Sequence, residues 1–321
     1  MQFELVAVGR DAIPAIYDLT RRWERHWESP NATSESEVAE TFDDPYLVPE
    51  LDTRGVWAGE RLVAFGTVVH RPSGERQERV FVQGWVDPEI RGNGIGRRLL
   101  AWQIERATEK LRMCDPSIPW YIRTGEWDWI DDALRLQRRF GLASVRWFED
   151  MLRPLSAPLE VPSPPEVSIV DWTEVASDEL LRLSNESFAD HWGSTPRDAT
   201  AWEHLLSSST VRTDLSFVAT VGSQSVGYTL NAFFGDDEEI SGRRDGWIES
   251  LGVRKEWRRR GIAAALIARS LDAFRGAGFT HAMIGVDTDN PSGAAGLYQR
   301  LGFETLHRTV IGELPVPVIS Q

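Results

Sequence analysis

The stretch WIESLGVRKEWRRRGIA, residues 247–263, decides the fold. Ile248 to Val253 reads as a short buried strand; the remainder is basic and closes on glycine before a helical pattern begins. The first amides of a helix have no partner within it and carry the positive end of its dipole. A turn that delivers a strand into such a helix start binds phosphate through its backbone. Gly261 and the small Ala263 allow an anion to come close, and Arg254, Lys255, Arg258, Arg259 and Arg260 set five cations within seven residues. A solvated helix start decorated with arginines is the other reading of the same residues. Other phosphate motifs fail. Gly92-Asn93-Gly94 meets Arg97 where a dinucleotide fingerprint requires glycine, and no GxxxxGK followed by Ser or Thr occurs.

Outward from this stretch, one succession of landmarks occurs twice. LTRRWERHW, with His26 and Trp27, corresponds to LSNESFADHW, with His191 and Trp192. WAGERLVAFGTVV and TVGSQSVGYTLNA each read as two strands about a tight turn, at Gly59-Glu60 and Gly222-Ser223. RGNGIG (Arg91 to Gly96) corresponds to RRRGIA (Arg258 to Ala263), and RRFGL about Gly141 to QRLGF about Gly302. The order is the same and the separations stay between 161 and 167 residues, so the chain is a tandem duplication. RPLSAPLEVPSPPEV, residues 153–167, holds five prolines and reads as an extended linker. The expected domains are therefore 1–152 and 168–321, joined by 153–167.

Helical spacing of Leu100, Ile104, Ala107 and Leu111, and of Ala263, Ile267, Ser270 and Phe274, marks one long helix per copy. Ile118 to Thr124 and His281 to Asp287 read as the strands that follow. Each copy thus predicts helix, hairpin, strand, long helix, strand, helix, strand. That is an α/β domain whose mixed sheet is covered on both faces.

At this point the motifs become specific. Arg258-Arg259-Arg260-Gly261-Ile262-Ala263 resembles the (Q/R)xxGx(G/A) pyrophosphate loop of the GNAT acetyltransferases, and Arg91-Gly92-Asn93-Gly94-Ile95-Gly96 is similar to it. Asn290-Pro291-Ser292-Gly293-Ala294-Ala295-Gly296-Leu297-Tyr298-Gln299-Arg300-Leu301-Gly302-Phe303 resembles the family's NPxAxxLYxxLGF segment. The resemblance spans essentially the whole chain as two GNAT-like acyl-CoA N-acyltransferase domains, most firmly over residues 216–308. It implies a fourth strand that splays from the fifth to admit the pantetheine arm of acetyl-CoA, the expected co-substrate. Leu251, Gly252 and Val253 would then pair with pantetheine, one amide there polarising the thioester carbonyl. Arg258, Arg259, Arg260, Gly261, Ile262 and Ala263 would hold the pyrophosphate. Asn290 would sit near the acyl end or the pantetheine, and Tyr298 would face the sulfur.

Acyl transfer from a thioester to an amine needs a neutral amine, a stabilised oxyanion and a proton for the departing thiolate. Tyr298 is the expected acid, with an amphipathic core tyrosine as the alternative. Glu249 is the expected base, with an outward surface carboxylate as the alternative. His191 and Trp192 are expected to line the acceptor side of the cleft or simply to pack, since His26-Trp27 recurs in the other copy. Phe188-Ala189-Asp190-His191 also resembles the early-helix motif of tandem members of the mycothiol synthase type, which carry a Pro-Glu pair where this chain has Trp192-Gly193. Aligning Phe140-Gly141-Leu142 on Leu301-Gly302-Phe303 sets Gln137 opposite Tyr298 and Trp129 opposite Asn290. A glutamine amide cannot usefully protonate a thiolate. The second copy is therefore the expected catalyst. The first is expected to be degenerate and structural, or a residual acyl-CoA site at Val86, Arg91, Gly92, Asn93, Gly94, Ile95 and Gly96.

The composition agrees with two globular domains: 41% hydrophobic and 26% charged over 321 residues. No apolar run approaches the ~20 residues of a membrane span. MQFELVAVGRDAIPAI lacks the basic start and apolar core of a signal peptide. One cysteine, Cys114, excludes an intramolecular disulfide and fits a reducing compartment, so a cytoplasmic protein is expected. Six histidines with neither HxxxH nor CxxC spacing predict no metal site. A net charge of −14 opposes nucleic-acid binding and would steer cationic substrates, or serve solubility alone. The expected function is transfer of an acetyl group to a primary amine of a small molecule, by a monomer or homodimer. Acetylation of a protein amine, and a non-catalytic acyl-CoA-binding sensor or scaffold, are the alternatives.

Overall fold

The computed structural model describes residues 3–73, 75–290 and 293–318. The first repeat runs α1 (Ile13–Trp27), α2 (Glu35–Asp43), the single turn α3 (Pro49–Asp52), β1 (Thr53–Ala58), β2 (Arg61–His70), β3 (Glu78–Val86), α4 (Ile95–Leu111), β4 (Trp120–Trp127), α5 (Asp131–Arg139) and β5 (Ala143–Pro154). The second runs β6 (Ser168–Asp171), α6 (Ser177–Ser187), α7 (Ala199–Leu206), β7 (Phe217–Val221), β8 (Gln224–Ala232), α8 (Asp237–Ser241), β9 (Asp245–Val253), α9 (Ile262–Gly276), β10 (His281–Asp287), α10 (Ala294–Arg300) and β11 (Glu304–Val316). The expected order of elements is present in both repeats. The two hairpins turn at Gly59 and Gly222, whose φ of 65° and 57° suit the tight turn between twisted strands.

The compact units do not follow the repeat boundaries. One is Met1–Trp147 with Thr309–Gln321, and the other is Phe148–Arg308. Each takes its closing strand from the opposite repeat. Thr309–Val316 of β11 pairs antiparallel with β4, and Phe148–Pro154 of β5 pairs antiparallel with β10. Duplication makes this possible, because equivalent strands offer equivalent edges and exchange as in a domain swap. The expected divisions at 152 and 168 therefore mark the duplication and not the packed units. The proline-rich segment is extended but attached: Leu155, Leu159 and Val161 pack on the core of the second unit.

Strand order is β1-β2-β3-β4-β11 in the first unit and β5-β10-β9-β8-β7-β6 in the second. Parallel pairing joins β3 with β4 and β9 with β10, each a place where a long helix crosses between strands. In the first unit Leu100, Ala107 and Leu111 of α4 bury against Val68, Val80 and Ile122. In the second, Ile267, Leu271 and Phe274 of α9 bury against Met151, Ile248 and Ile284. Leu180 and Leu183 of α6 pack on Tyr228 and Leu230 of β8. Each fully buried aliphatic side chain here contributes roughly 1.5–3 kcal/mol of transfer free energy. Among the described residues no helix is long and apolar enough to cross a membrane.

Candidate active site

The parallel rungs between β9 and β10 run from Asp245↔His281 to Ile248↔Ile284 and stop. Both strands continue, β9 to Val253 and β10 to Asp287, so they part at Glu249 and Gly285. On its other side β9 pairs Ser250 with Leu230 and then Ile248 with Asn231, leaving Glu249 as an extra residue without a rung. Glu249 is thus a β-bulge at the apex of the split. A bulge interrupts the ladder and re-aims side chains, which is why such features gather beside active sites. The first unit has the split but not the bulge. Its β3–β4 rungs end at Phe81↔Arg123, while β2–β3 rungs run unbroken from Ala64↔Val86 to His70↔Val80.

Beyond the split, each central strand enters its phosphate-loop sequence. Gly261 caps α9 at φ 85° and Arg259 stands at φ 61°; Gly92 and Gly94 take φ 83° and 77° at the matching places. Left-handed backbone at a non-glycine costs roughly 1–2 kcal/mol, so Arg259 is held there by its surroundings. A Cβ at Gly261 would come no closer than 3.8 Å to Pro164 Cγ, so the glycine face of the loop is open. Arg258 is spent on anchoring. Its guanidinium donates to Val253 O (3.1 Å), Ser187 O (2.8 Å) and both oxygens of Asp190 (2.7 and 2.9 Å). Arg260 lies over Trp257, 4.6 Å from its centroid, and Arg254 pairs with Glu179 and Glu186. Arg259 is exposed and has no side-chain partner among the described residues. Ile262 is buried as a plug beneath the loop, and Ala263 is half-buried.

Leu251 and Val253 are half-buried along the open edge of β9. Gly252 lies against α6, where a Cβ would meet Tyr228 Cε1 at 2.5 Å and Ser187 Cβ at 2.8 Å. Glu249 is open to solvent on one side and enclosed by protein on the others. That enclosure pushes its carboxyl pKa up, opposed by the positive charge of Arg197. Tyr298 is 6% exposed, with Phe303 beside it at 6.2 Å, and burial pushes its phenol pKa up. Asn290 closes the turn after β10, its N–H donating to Asp287 O (3.0 Å). Pro291 and Ser292 of the same motif lie outside the described residues.

His191 packs against Phe188 with ring centroids 4.6 Å apart and planes tilted by 52°, and burial pushes its pKa down. Asp190 and Asp287 oppose that shift and Arg258 adds to it. Trp192 is half-buried. In the first unit the equivalent pair clasps the loop: Arg91 lies over Trp27 at 4.7 Å, reaches His26 Nε2 at 3.5 Å and pairs with Asp132. Trp129 donates Nε1–H to Trp27 O (3.2 Å) and stacks on Trp127 at 5.2 Å. Gln137 is buried against β11, where a Cβ on Gly312 would meet its Oε1 at 2.8 Å.

Two groupings lay beyond sequence reasoning. Asp150 of β5 has its pKa raised to about 6, first by burial and then by the charge of Glu249. His70, Glu78 and Cys114 place one ligand atom each within 4.8 Å of one another. No residue spacing announces that trio, because it is assembled by β2, β3 and the end of α4. Its internal bonds suit packing: His70 Nε2 and Glu78 Oε2 are 2.9 Å apart, and Ser73 N–H donates to the same carboxylate. Burial pushes the Cys114 thiol up to about 11.

The sequence profile of the Acetyltransferase (GNAT) family matches residues 13–125 and 177–303. The mycothiol acetyltransferase of Thermobispora bispora is 29% identical over 225 residues, covering 68% of this chain and 70% of its own. That of Streptomyces bingchenggensis is 30% identical over 229 residues, with 68% of each chain covered. Among solved structures, an N-acetyltransferase from Sphaerobacter thermophilus gives a TM-score of 0.73 at 26% identity, covering 98% of this chain and 95% of its own. A tandem GNAT protein from the clavulanic acid biosynthesis pathway gives 0.72 at 16% identity, covering 98% of each chain, a likeness of fold.

Proposed function

Because this chain belongs to the GNAT acetyltransferase family and is an acetyl-CoA-dependent acyltransferase, we propose that its second unit acetylates a primary amine of a small molecule. The observation that carries the choice of unit is the bulge at Glu249, set where β9 leaves β10 and absent from the unbroken β2–β3 ladder. In this reading acetyl-CoA lies in the split. Its pyrophosphate rests on the amides of Arg259 to Ala263, with the exposed Arg259 side chain alongside, while Arg258 holds the loop in shape. The free edge of Leu251 to Val253 pairs with pantetheine, and Asn290 flanks the arm.

Glu249 takes a proton from the acceptor ammonium. The neutral nitrogen attacks the thioester carbonyl, forming the C–N bond, and a backbone amide of the Leu251 to Val253 edge stabilises the oxyanion. The C–S bond then breaks as Tyr298 gives its proton to the leaving thiolate, and the second proton lost by the attacking nitrogen restores the phenol. A small-molecule acceptor is favoured by the relatives, which are named for mycothiol, and by the acidic surface of this chain. His191, on which Arg258 and Asp287 act electrostatically, and its neighbour Trp192 are read as lining the acceptor side of the cleft or as packing. The test is release of free thiol from acetyl-CoA over a panel of primary amines. Turnover restricted to peptides would overturn the small-molecule reading, and binding of acetyl-CoA without turnover of any amine would overturn catalysis.

A further inference from the structure

Register across three strands of the second unit brings a residue of the first repeat to the reaction centre. Asp150 of β5 faces Gly285 of β10 in a direct rung, and Gly285 is the first residue of β10 past its last rung with β9. Glu249 is the matching first residue of β9 past that rung. The three therefore form one row, Asp150, Gly285, Glu249, across the apex of the split. The rungs two residues earlier set Leu152, Met283 and Trp247 side by side in one apolar cluster with Ala232 and Phe234. Strand periodicity of two puts Asp150 on the same face as that cluster, and the charge of Glu249 acts on it there. Gly285 contributes no side chain, and a Cβ built there would stand 3.7 Å from Asp150 Oδ1. A gap floored by bare backbone is left between the two acids.

We propose that Asp150, carried by β5 out of the first repeat, belongs to the acetyl-acceptor site of the second unit, where it and Glu249 together bind the acceptor as a protonated amine. The inference rests on the reading that the second unit is the catalyst. Neither carboxylate enters an ion pair among the described residues. Arg197 is the cation that acts on Glu249, and Asp150 is subject to the negative charge of Glu249. The neighbouring charges are occupied elsewhere: Glu149 bonds Thr305 and Arg308, and Asp287 acts on His191. Two neighbouring carboxylates, Asp150 half-buried and Glu249 open to solvent on one side, repel unless one is protonated or a cation lies between them. An ammonium supplies the cation on arrival and the proton on reaction. One of its protons passes to Glu249, the nitrogen lone pair forms the C–N bond, the C–S bond breaks as the sulfur takes the Tyr298 proton, and the second proton shed by the nitrogen returns to the Tyr298 oxygen. Asp150 stays ionised and holds the remaining N–H groups. The site thereby selects acceptors that are cationic at neutral pH over neutral nucleophiles of similar size.

The experiment compares Asp150→Asn with the wild-type chain on two kinds of probe. One is the amine turned over fastest among cysteamine, glucosamine and spermidine; the other is acetohydrazide, which is neutral near pH 7. A charge-assisted contact predicts a loss of roughly 10- to 100-fold in kcat/KM for the amine, mostly in KM, with the hydrazide changed only a few-fold. The thermal shift produced by acetyl-CoA should be unchanged, and Asp150→Glu should recover part of the loss. Gly285→Ala, which fills the gap without removing a charge, should also raise the amine KM. Equal losses for both probes, or a weakened acetyl-CoA shift, would make Asp150 a packing residue and overturn the proposal. So would an Asp150→Asn variant that keeps wild-type amine kinetics. A wild-type chain that turns over no amine overturns the catalytic reading itself, so the two failures are distinct.

Discussion

A phenol as deeply buried as Tyr298 surrenders its proton only to a base that is forming beside it. A thiol ordinarily ionises near 8.5 and a phenol near 10, and burial drives Tyr298 further up, so full transfer to a free thiolate runs uphill. The proton must therefore move as the C–S bond breaks. Tyr298→Phe keeps the ring beside Phe303 and removes only that proton. The expected outcome is a fall in kcat of ~10²-fold with the acetyl-CoA thermal shift retained. A loss of two- or threefold, with no burst of thiol in the wild-type chain, would assign the proton to water. The base has the opposite requirement, since it works only when ionised. Burial raises the Glu249 pKa, so kcat/KM should climb with pH through a limb lying above the ordinary carboxylate value of about 4.3. Glu249→Gln should lower the rate and abolish that limb; a limb that survives belongs to another group. Both residues can be proposed from sequence because each sits in or beside a contiguous motif. Asp150 cannot, because its relation to the site exists only through register across three strands.

Elements repeat more faithfully than side chains. Both phosphate loops place a left-handed residue two positions before the helix-capping glycine and another at it, Gly92 and Gly94 or Arg259 and Gly261. Glycine at both places in the first repeat announced that geometry, whereas Arg259 concealed half of it. The bulge left only an indirect trace. The separation of the repeats grows from 163 at Ala64 and Gly227 to 167 at Gly94 and Gly261, and nothing in the residues says where the extra ones fall. The structure puts one of them at Glu249. If the second unit alone turns over substrate, the same substitution in the two loops should have unequal effects. Gly261→Val forces a β-branched residue to φ 85° and puts a side chain where an anion would approach, so it should erase the acetyl-CoA thermal shift and most turnover. Gly94→Val should leave kcat within about twofold, the scale of a change outside the reacting site. Loss of turnover in a folded Gly94→Val chain would move the chemistry to the first unit.

At the scale of the whole molecule, duplication is written plainly in the sequence but strand ownership is not. Equivalent closing strands carry equivalent patterns, so composition cannot tell β5 from β11 as the partner of β4 or of β10. The exchange has an energetic consequence at Arg123. This side chain is 3% exposed on β4, and its ion pair is Glu313, 190 residues later, at 2.6 Å. Removing one partner of a buried pair strands the other charge, at a cost on the order of 3 kcal/mol. Glu313→Gln should therefore destabilise the first unit although residue 313 belongs to the second repeat. Hydrogen exchange read by unit checks it. Protection should fall along β3 and β4, where rungs Glu78↔Trp120 to Phe81↔Arg123 lean on the same guanidinium, and should hold along β9 and β10. The acetyl-CoA thermal shift, which reports on the loop at Gly261, should persist. If protection instead falls first in β9 and β10, β11 closes its own repeat in solution. In that case the exchange is wrong, and Asp150 loses its place beside Glu249 as well.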